Sequence, residues 1–242
     1  MSSIFHAARS NLRVFVDFDG TIALEDTTDV ILERFADPEW RSVEAEWIAG
    51  AIGSRECLAR QVDLVRASPA ALDAVGDDVP LDPHFGEFVT FCRSNRIPVT
   101  VISDGFDRLV SRMLAAAGID VPVLANHLRW LGKDRWKLAF PHSNPDCRAA
   151  AGNCKCAALT REAGTLRILV GDGRSDFCAA QGADFILAKG ALAEHCEASG
   201  LNYCVFGSFA GAILLLSEWI GTLTRHGRIV TEVGRSAHAS SA

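Results

Sequence analysis

The sequence has little clustered positive charge and no long apolar run. Its 242 residues contain 24 Lys and Arg against 30 Asp and Glu, a net charge of −6 with histidine neutral. Nucleic acids and anionic membranes are bound through clustered basic residues, so we expect neither as a partner. The longest apolar stretch, near residues 209–216, is far below the ~20 residues of a membrane span, and the first residues contain no signal-like apolar segment. We therefore expect a cytoplasmic protein without an anchor.

The eight cysteines are spread too thinly to indicate a disulfide framework. A chain with 49% hydrophobic residues can fill a core unaided, unlike small stapled secreted domains, so we expect reduced thiols. A structural zinc site or redox pair drawn from His142, Cys147, Cys154 and Cys156 is an alternative, but paired CxxC ligands are missing. At about one domain per 150 residues, the length suggests one domain with a large insertion.

Three short apolar runs each end in a polar loop that contains aspartate. Residues 14–16 stop at Asp17, residues 98–102 at Ser103, and residues 166–170 at Gly171 and Asp172. Helical patterns follow the loops, and strands that alternate with helices indicate an α/β fold with a parallel sheet. Such sheets bind ligands at the carboxyl ends of their strands, so we expect the three loops to converge.

The segment between the first and second predicted strands has helical patterns throughout. We predict that residues 26–84 form a small helical cap over the site, inserted into a discontinuous core of residues 1–25 and 85–225. The tail, residues 226–242, has little to bury and is predicted to be flexible.

Two pairs of carboxylates predict a divalent metal site. Asp17 and Asp19 at one strand end would repel each other in a crevice unless a cation lay between them, and Asp172 and Asp176 add oxygens at the same edge. Mg²⁺ prefers such oxygen ligands. A single aspartate after a strand would more simply be a helix cap, but two pairs favour the metal.

Ser103 and Lys155 are candidates for holding an anion. The Ser103 hydroxyl and adjacent amides could bind a phosphate oxygen, although serine here could also cap a helix. Lys155 opens a predicted helix, where a cation is unfavourable unless it faces an anion. A solvated surface lysine is the alternative interpretation.

In this order, Asp17-Phe-Asp-Gly-Thr21, the strand-end Ser103, Lys155 and Gly171-Asp-Gly-Arg-Ser-Asp176 resemble the four motifs of the haloacid dehalogenase superfamily. The resemblance implies a Rossmann-like three-layer core with a helical cap of the C1 type. It also implies a Mg²⁺-dependent phosphomonoester hydrolase that works through an aspartyl-phosphate.

The resemblance implies a role for each matched residue. Asp17 would be the nucleophile and Asp19 the general acid and base. The metal would be held by Asp17, Asp172, Asp176 and the backbone carbonyl of Asp19.

A second set of residues would hold the phosphoryl group: Ser103, Asp104, Gly105 and Lys155. Asp104 departs from the Ser-Gly-Gly typical of phosphoserine phosphatases, so it either points away or contacts a polar part of the substrate. In the cap, Asp26 and Arg60 are expected to face the substrate.

Weaker cues resemble the phosphatases of methionine salvage, which act on 2-hydroxy-3-keto-5-methylthiopentenyl-1-phosphate. They are residues 36–40, residues 140–143 and the cysteines around Lys155. Phosphoserine, phosphocholine or a sugar phosphate are alternative substrates. A signalling module phosphorylated on aspartate is the alternative outside enzymes, although Asp19 and the cap argue against it. We expect a small phosphorylated metabolite as ligand and a monomer or homodimer.

Overall fold

The computed structural model describes residues 12–160 and 165–226. Within them the strands form one sheet in the order β4-β3-β2-β1-β5-β6-β7. Neighbouring strands are parallel except for the antiparallel pair β3 and β4. The strands are β1 (Leu12–Val16), β2 (Val99–Phe106), β3 (Val123–Gly132), β4 (Arg135–Ala139), β5 (Leu166–Gly171), β6 (Phe185–Ala188) and β7 (Cys204–Val205). The predicted α/β architecture with a parallel sheet is confirmed.

Helices cover both faces of the sheet and fill the segment between β1 and β2. They are α1 (Thr27–Phe35), α2 (Trp40–Ile48), α3 (Ser54–Leu64), α4 (Pro69–Asp78), α5 (Phe85–Ser94), α6 (Asp107–Ala116), α7 (Lys155–Thr160), α8 (Phe177–Ala180), α9 (Gly190–Ser199) and α10 (Phe209–His226). A short 3-10 turn, Arg174–Asp176, precedes α8. No helix of the described residues is long and apolar enough to cross a membrane.

Two apolar clusters hold these layers together. The larger packs one face of the sheet against α5, α6 and α10, with Phe85, Phe88 and Phe209 buried in mutual ring contact. The smaller packs the other face against α7 to α9. Burial on both faces explains why the central strands consist of continuous apolar residues and do not alternate.

The helical insert packs on the core through α3 and α4. Arg108 of α6 forms a two-pronged ion pair with Asp73 of α4, at 2.7 and 2.8 Å. The predicted cap boundaries fall at Asp26, the N-cap of α1, and at His84, the N-cap of α5. The division into core and cap stays a prediction, and the predicted tail lies outside the described residues beyond His226.

Two expectations from the sequence need correction. Strand β2 does not stop before Ser103 but continues to Phe106. Its pairing with β3 is irregular between Ile102 and Phe106, and such an irregularity bends a strand without ending it. The prediction that all thiols are reduced is wrong for Cys156 and Cys178, which form a disulfide with Cα atoms 6.0 Å apart. Proximity of α7 and α8 brings these two cysteines together, and sequence spacing does not reveal it.

Candidate active site

The polar residues at the carboxyl ends of β1, β2 and β5 lie at one edge of the sheet. β1 lies between β2 and β5 in the sheet, so its end is flanked by both of the other loops. Asp17 follows β1 directly, and its backbone N–H donates to the Val170 carbonyl of β5 at 2.9 Å. The predicted convergence of the three loops is present.

Lys155 lies between two of these carboxylates. Its Nζ is 2.7 Å from Asp17 Oδ1 and 2.8 Å from Asp176 Oδ1, and it donates to Ser175 Oγ at 2.8 Å. Its side chain is 1% exposed, against 6% for Asp17 and 0% for Asp176. The alternative of a solvated surface lysine does not hold, since the ammonium group is fully enclosed by anionic and polar partners.

The charges of this buried group do not balance. Burial disfavours the charged form of Lys155, but the Asp17 and Asp176 carboxylates outweigh burial and raise its pKa. Burial and the charge of Asp176 raise the pKa of Asp17 well above its ordinary value, although Lys155 acts in the opposite direction. Burial also raises the pKa of Asp172. Asp17 and Asp172 therefore have less positive charge around them than their ionised forms require.

Asp17, Asp172 and Asp176 fit a divalent cation. One carboxylate oxygen from each lies within 4.8 Å of the others. A hard cation with oxygen ligands would supply the missing positive charge. The side chain of Asp19 is outside this group, and the backbone-carbonyl role predicted for Asp19 stays a prediction. The zinc alternative at the cysteines is not supported, because among the described residues the grouping suited to a metal is the aspartate one.

Thr21 and Gly20 position Asp172. The Thr21 hydroxyl donates to Asp172 Oδ1. Gly20 has a φ of +71°, and a Cβ there would lie 2.4 Å from Asp172 Oδ2. A larger residue at Gly20 would both strain the backbone and displace the carboxylate.

Asp19 is held beside the metal-compatible group by hydrogen bonds to both of its oxygens. Thr27, the first residue of α1, donates to Oδ1 from its backbone N–H at 2.8 Å and from its hydroxyl at 2.6 Å. Ser103 Oγ donates to Oδ2 at 3.2 Å. Burial raises the pKa of Asp19, while the Thr27 hydrogen bonds lower it. Gly105 leaves room for this carboxylate, since a Cβ there would lie 2.5 Å from Asp19 Oδ2.

A cavity of about 170 Å³ separates the sheet edge from the helical insert. The core contributes Asp17, Asp19, Asp104, Gly105 and residues 172–175 to its lining. The insert contributes a mostly acidic and polar wall: Asp26, Thr28, Asp29, Glu44, Trp47, Ser54, Cys57, Leu58 and Gln61. Within this wall, Gln61 donates to Glu44 at 2.8 Å.

Three predicted residues have placements that the sequence left open. Asp26 lines the cavity but also caps α1, accepting from the Thr28 and Asp29 amides. Asp104 accepts from Ser54 and from the Asn153 amide, so it contacts protein groups. Arg60 is not among the cavity-lining residues; the placement differs from the expectation because Glu46 holds its guanidinium at 2.7 and 2.8 Å.

Several contacts around the aspartates were missed by sequence reasoning. They come from Thr27, Asn153 and Ser175, each a common polar residue with no distinguishing spacing. The N-cap signal at Asp26 places Thr27 in the first turn of a helix, which is the single local cue available.

Fold and site together define an α/β enzyme with an acidic, metal-compatible centre at the carboxyl edge of its sheet. The chain belongs to the haloacid dehalogenase-like hydrolase family, whose profile matches residues 14–181. It is 30% identical over 213 residues to the 2-hydroxy-3-keto-5-methylthiopentenyl-1-phosphate phosphatase of Brevibacillus brevis, covering 86% of this chain and 96% of that protein. The protein of the same name from Geobacillus kaustophilus is 28% identical over 207 residues, covering 84% and 94%.

Solved structures share the same fold. A phospho-aspartyl intermediate analogue of phosphoserine phosphatase aligns with a TM-score of 0.64 at 21% identity, over 86% of this chain and 99% of that one. A hydrolase of the family, t0658 from Salmonella enterica serovar Typhi, aligns with a TM-score of 0.65 at 18% identity, over 86% and 70%. At these identities the likeness concerns the fold.

Proposed function

We propose that the chain is a Mg²⁺-dependent phosphomonoester hydrolase that acts on a small phosphorylated metabolite through an aspartyl-phosphate on Asp17. The observation that carries the proposal is the buried group of Asp17, Lys155 and Asp176, with Asp172 beside it and Asp19 facing the same cavity. This group combines a carboxylate nucleophile, an ammonium for the phosphoryl oxygens and a position for a divalent cation.

The contacts of its carboxylate support Asp17 as the nucleophile. Its Oδ1 accepts from the Phe18 amide at 2.7 Å and from Lys155, which fixes the carboxylate. Its Oδ2 lies 3.5 Å from the Ser175 hydroxyl and is the oxygen we assign to attack on phosphorus. In the first step an Asp17–phosphorus bond forms and the ester oxygen–phosphorus bond breaks. Lys155 and Ser103 would hold the equatorial oxygens in this step.

Asp19 is placed to move the proton. Its raised pKa favours holding a proton for the departing alkoxide, and Thr27 and Ser103 keep its carboxyl group at the cavity. The ionised Asp19 would then take a proton from water, which attacks phosphorus and releases phosphate from Asp17. Asp17, Asp172 and Asp176 would hold the Mg²⁺ ion, which supplies charge neutralisation for the carboxylates and the phosphoryl group.

For the substrate we propose 2-hydroxy-3-keto-5-methylthiopentenyl-1-phosphate, by analogy with the named relatives. The insert side of the cavity carries Asp26, Asp29 and Glu44. A leaving group with a carboxylate, such as that of phosphoserine, would meet like charges there. Arg60, which was expected to offset them, is paired with Glu46 and does not line the cavity, and the cation in the lining is Arg174 on the core side. A leaving group with hydroxyl and keto groups suits this wall better.

The test is phosphate release from p-nitrophenyl phosphate and from a panel containing the methionine-salvage ester, phosphoserine, phosphocholine and a sugar phosphate. We expect turnover with Mg²⁺, loss of turnover with EDTA, and highest kcat/KM for the salvage ester. Asp17→Asn should abolish release of phosphate from every ester, because an amide cannot form the acyl-phosphate. Near-normal turnover by that variant would contradict the mechanism.

A further inference from the structure

Asp104 links the helical insert to the edge of the sheet. Its Oδ2 accepts a hydrogen bond from the hydroxyl of Ser54, the first residue of α3. The Ser54 hydroxyl also accepts from the Gly152 amide at 3.3 Å. The hydroxyl thus contacts the core, while the N-cap of its own helix is Gly53.

The insert and the core are in tight contact at this point. A Cβ on Gly53 would lie 2.5 Å from the Ala150 Cβ and 2.6 Å from its carbonyl oxygen. The Arg55 amide donates to the same carbonyl at 3.2 Å. Residues 53–55 therefore dock on the loop of residues 149–153, and Ser54 completes the contact by reaching Asp104.

The same carboxylate holds the loop that leads into Lys155. Asp104 Oδ1 accepts from the Asn153 backbone N–H at 2.7 Å, two residues before Lys155. The Asn153 side chain is buried and donates to the carbonyls of Ser103 at 2.9 Å and Leu124 at 2.6 Å. Asp104 therefore connects the docked insert to both candidate phosphate-binding residues, Ser103 and Lys155.

We propose that Asp104 is a positioning residue that couples docking of the helical insert to the placement of Lys155. This role rests on the proposed phosphatase function and explains why aspartate follows Ser103. When the insert is docked, Ser54 supplies a donor to Asp104 and the 149–153 loop is fixed between them. A leaving group that holds the insert in place therefore also holds Lys155 against the phosphoryl group.

The first test compares the kinetics of three single variants with wild type on the preferred substrate. Ser54→Ala should raise KM about tenfold and leave kcat within about twofold, because it removes the hydrogen bonds to Asp104 and from Gly152 but leaves the Asn153 amide bound to Asp104. Asp104→Ala should raise KM and also lower kcat about tenfold, since the Asn153 backbone N–H loses its acceptor. Asp104→Asn should stay within about threefold of wild type, because an amide can accept from Asn153 and donate to Ser54.

Ser68→Ala is the matched control for the insert. Ser68 caps α4 by accepting from the Ala71 amide at 3.2 Å and lies on the exposed surface of the insert. It should lower thermal stability as much as Ser54→Ala or more, with KM unchanged. The double variant of Ser54 and Asp104 should be no worse than Asp104→Ala alone. The coupling would be overturned if the effects of the two substitutions multiplied in the double variant. An equal rise in KM in the Ser68 control would also overturn it.

Hydrogen exchange gives a second readout that does not depend on activity. Exchange of the Asn153 amide should speed up about tenfold or more in Asp104→Ala, and the Gly152 amide in Ser54→Ala, with no change in Ser68→Ala. If exchange speeds up in the variants as predicted but the wild-type protein cleaves no phosphomonoester, the phosphatase proposal is wrong and the linkage through Asp104 stands. Normal turnover with unchanged exchange in the variants would overturn the linkage alone.

Discussion

Replacing Lys155 by methionine tests the charge balance at the sheet edge. The ammonium has contacts of 2.7 Å to Asp17 and 2.8 Å to Asp176, and all three side chains are at most 6% exposed. Removing one partner of a buried pair leaves uncompensated charge and costs about 3–5 kcal/mol. An exposed pair such as Arg41 with Glu33 contributes only about 0–1 kcal/mol. We therefore expect Lys155→Met to lower the free energy of unfolding by about 3–5 kcal/mol at pH 7.5 in EDTA.

Urea unfolding followed by circular dichroism measures this loss. The loss should shrink as pH falls, because Lys155 lowers the pKa of Asp17 and its removal allows that carboxylate to be protonated at a higher pH. Lys137→Met is the control, since Lys137 is exposed on β4. A loss below about 1 kcal/mol in Lys155→Met, or an equal loss in the control, would refute the charge argument.

Three further predictions follow from the same contacts. Gly105→Ala should lower kcat by about a hundredfold in steady-state assays, because a Cβ would lie 2.5 Å from Asp19 Oδ2; unchanged kcat would contradict this packing. Burial, and then the charge of Glu44, raises the pKa of Cys57 to about 12, so iodoacetamide should alkylate it slowly at pH 8 and faster in Glu44→Gln, as peptide mass spectrometry can measure. Mg²⁺ should raise the Tm of the wild type but raise that of Asp172→Asn much less; equal shifts in calorimetry would remove Asp172 from the proposed metal ligands.

The sheet and its acidic edge could be predicted because their signals are local. A run such as residues 166–170 is apolar throughout, and a strand buried on both faces requires that pattern. The abrupt change to Asp172 marks the strand end, and the rule that carboxyl ends share an edge then places Asp17 and Asp172 together. That Lys155 faces an anion could be anticipated from its position at the start of α7, where a cation needs an anion nearby, but its burial could not.

The remaining features depend on which elements meet in space. Arg60 was predicted to contact the substrate because its helix was predicted to lie over the site. In the structure its guanidinium is paired with Glu46 of α2. The disulfide partner of Cys156 is 22 residues away on another helix, and Ser54 lies 50 residues from Asp104. Such pairings follow from the packing of helices on the core, which single-residue propensity does not encode.

The central claim is that Asp17 carries the phosphoryl group during turnover. The most direct measurement mixes the Mg²⁺-loaded enzyme with substrate, quenches it with acid in the first turnover, reduces the acyl-phosphate with borohydride and sequences the peptides by mass spectrometry. Reduction of an aspartyl-phosphate yields homoserine, so homoserine should be found at residue 17, and only when substrate is present. Phosphate release without homoserine at Asp17, or with homoserine at Asp19 or Asp172, would contradict the account.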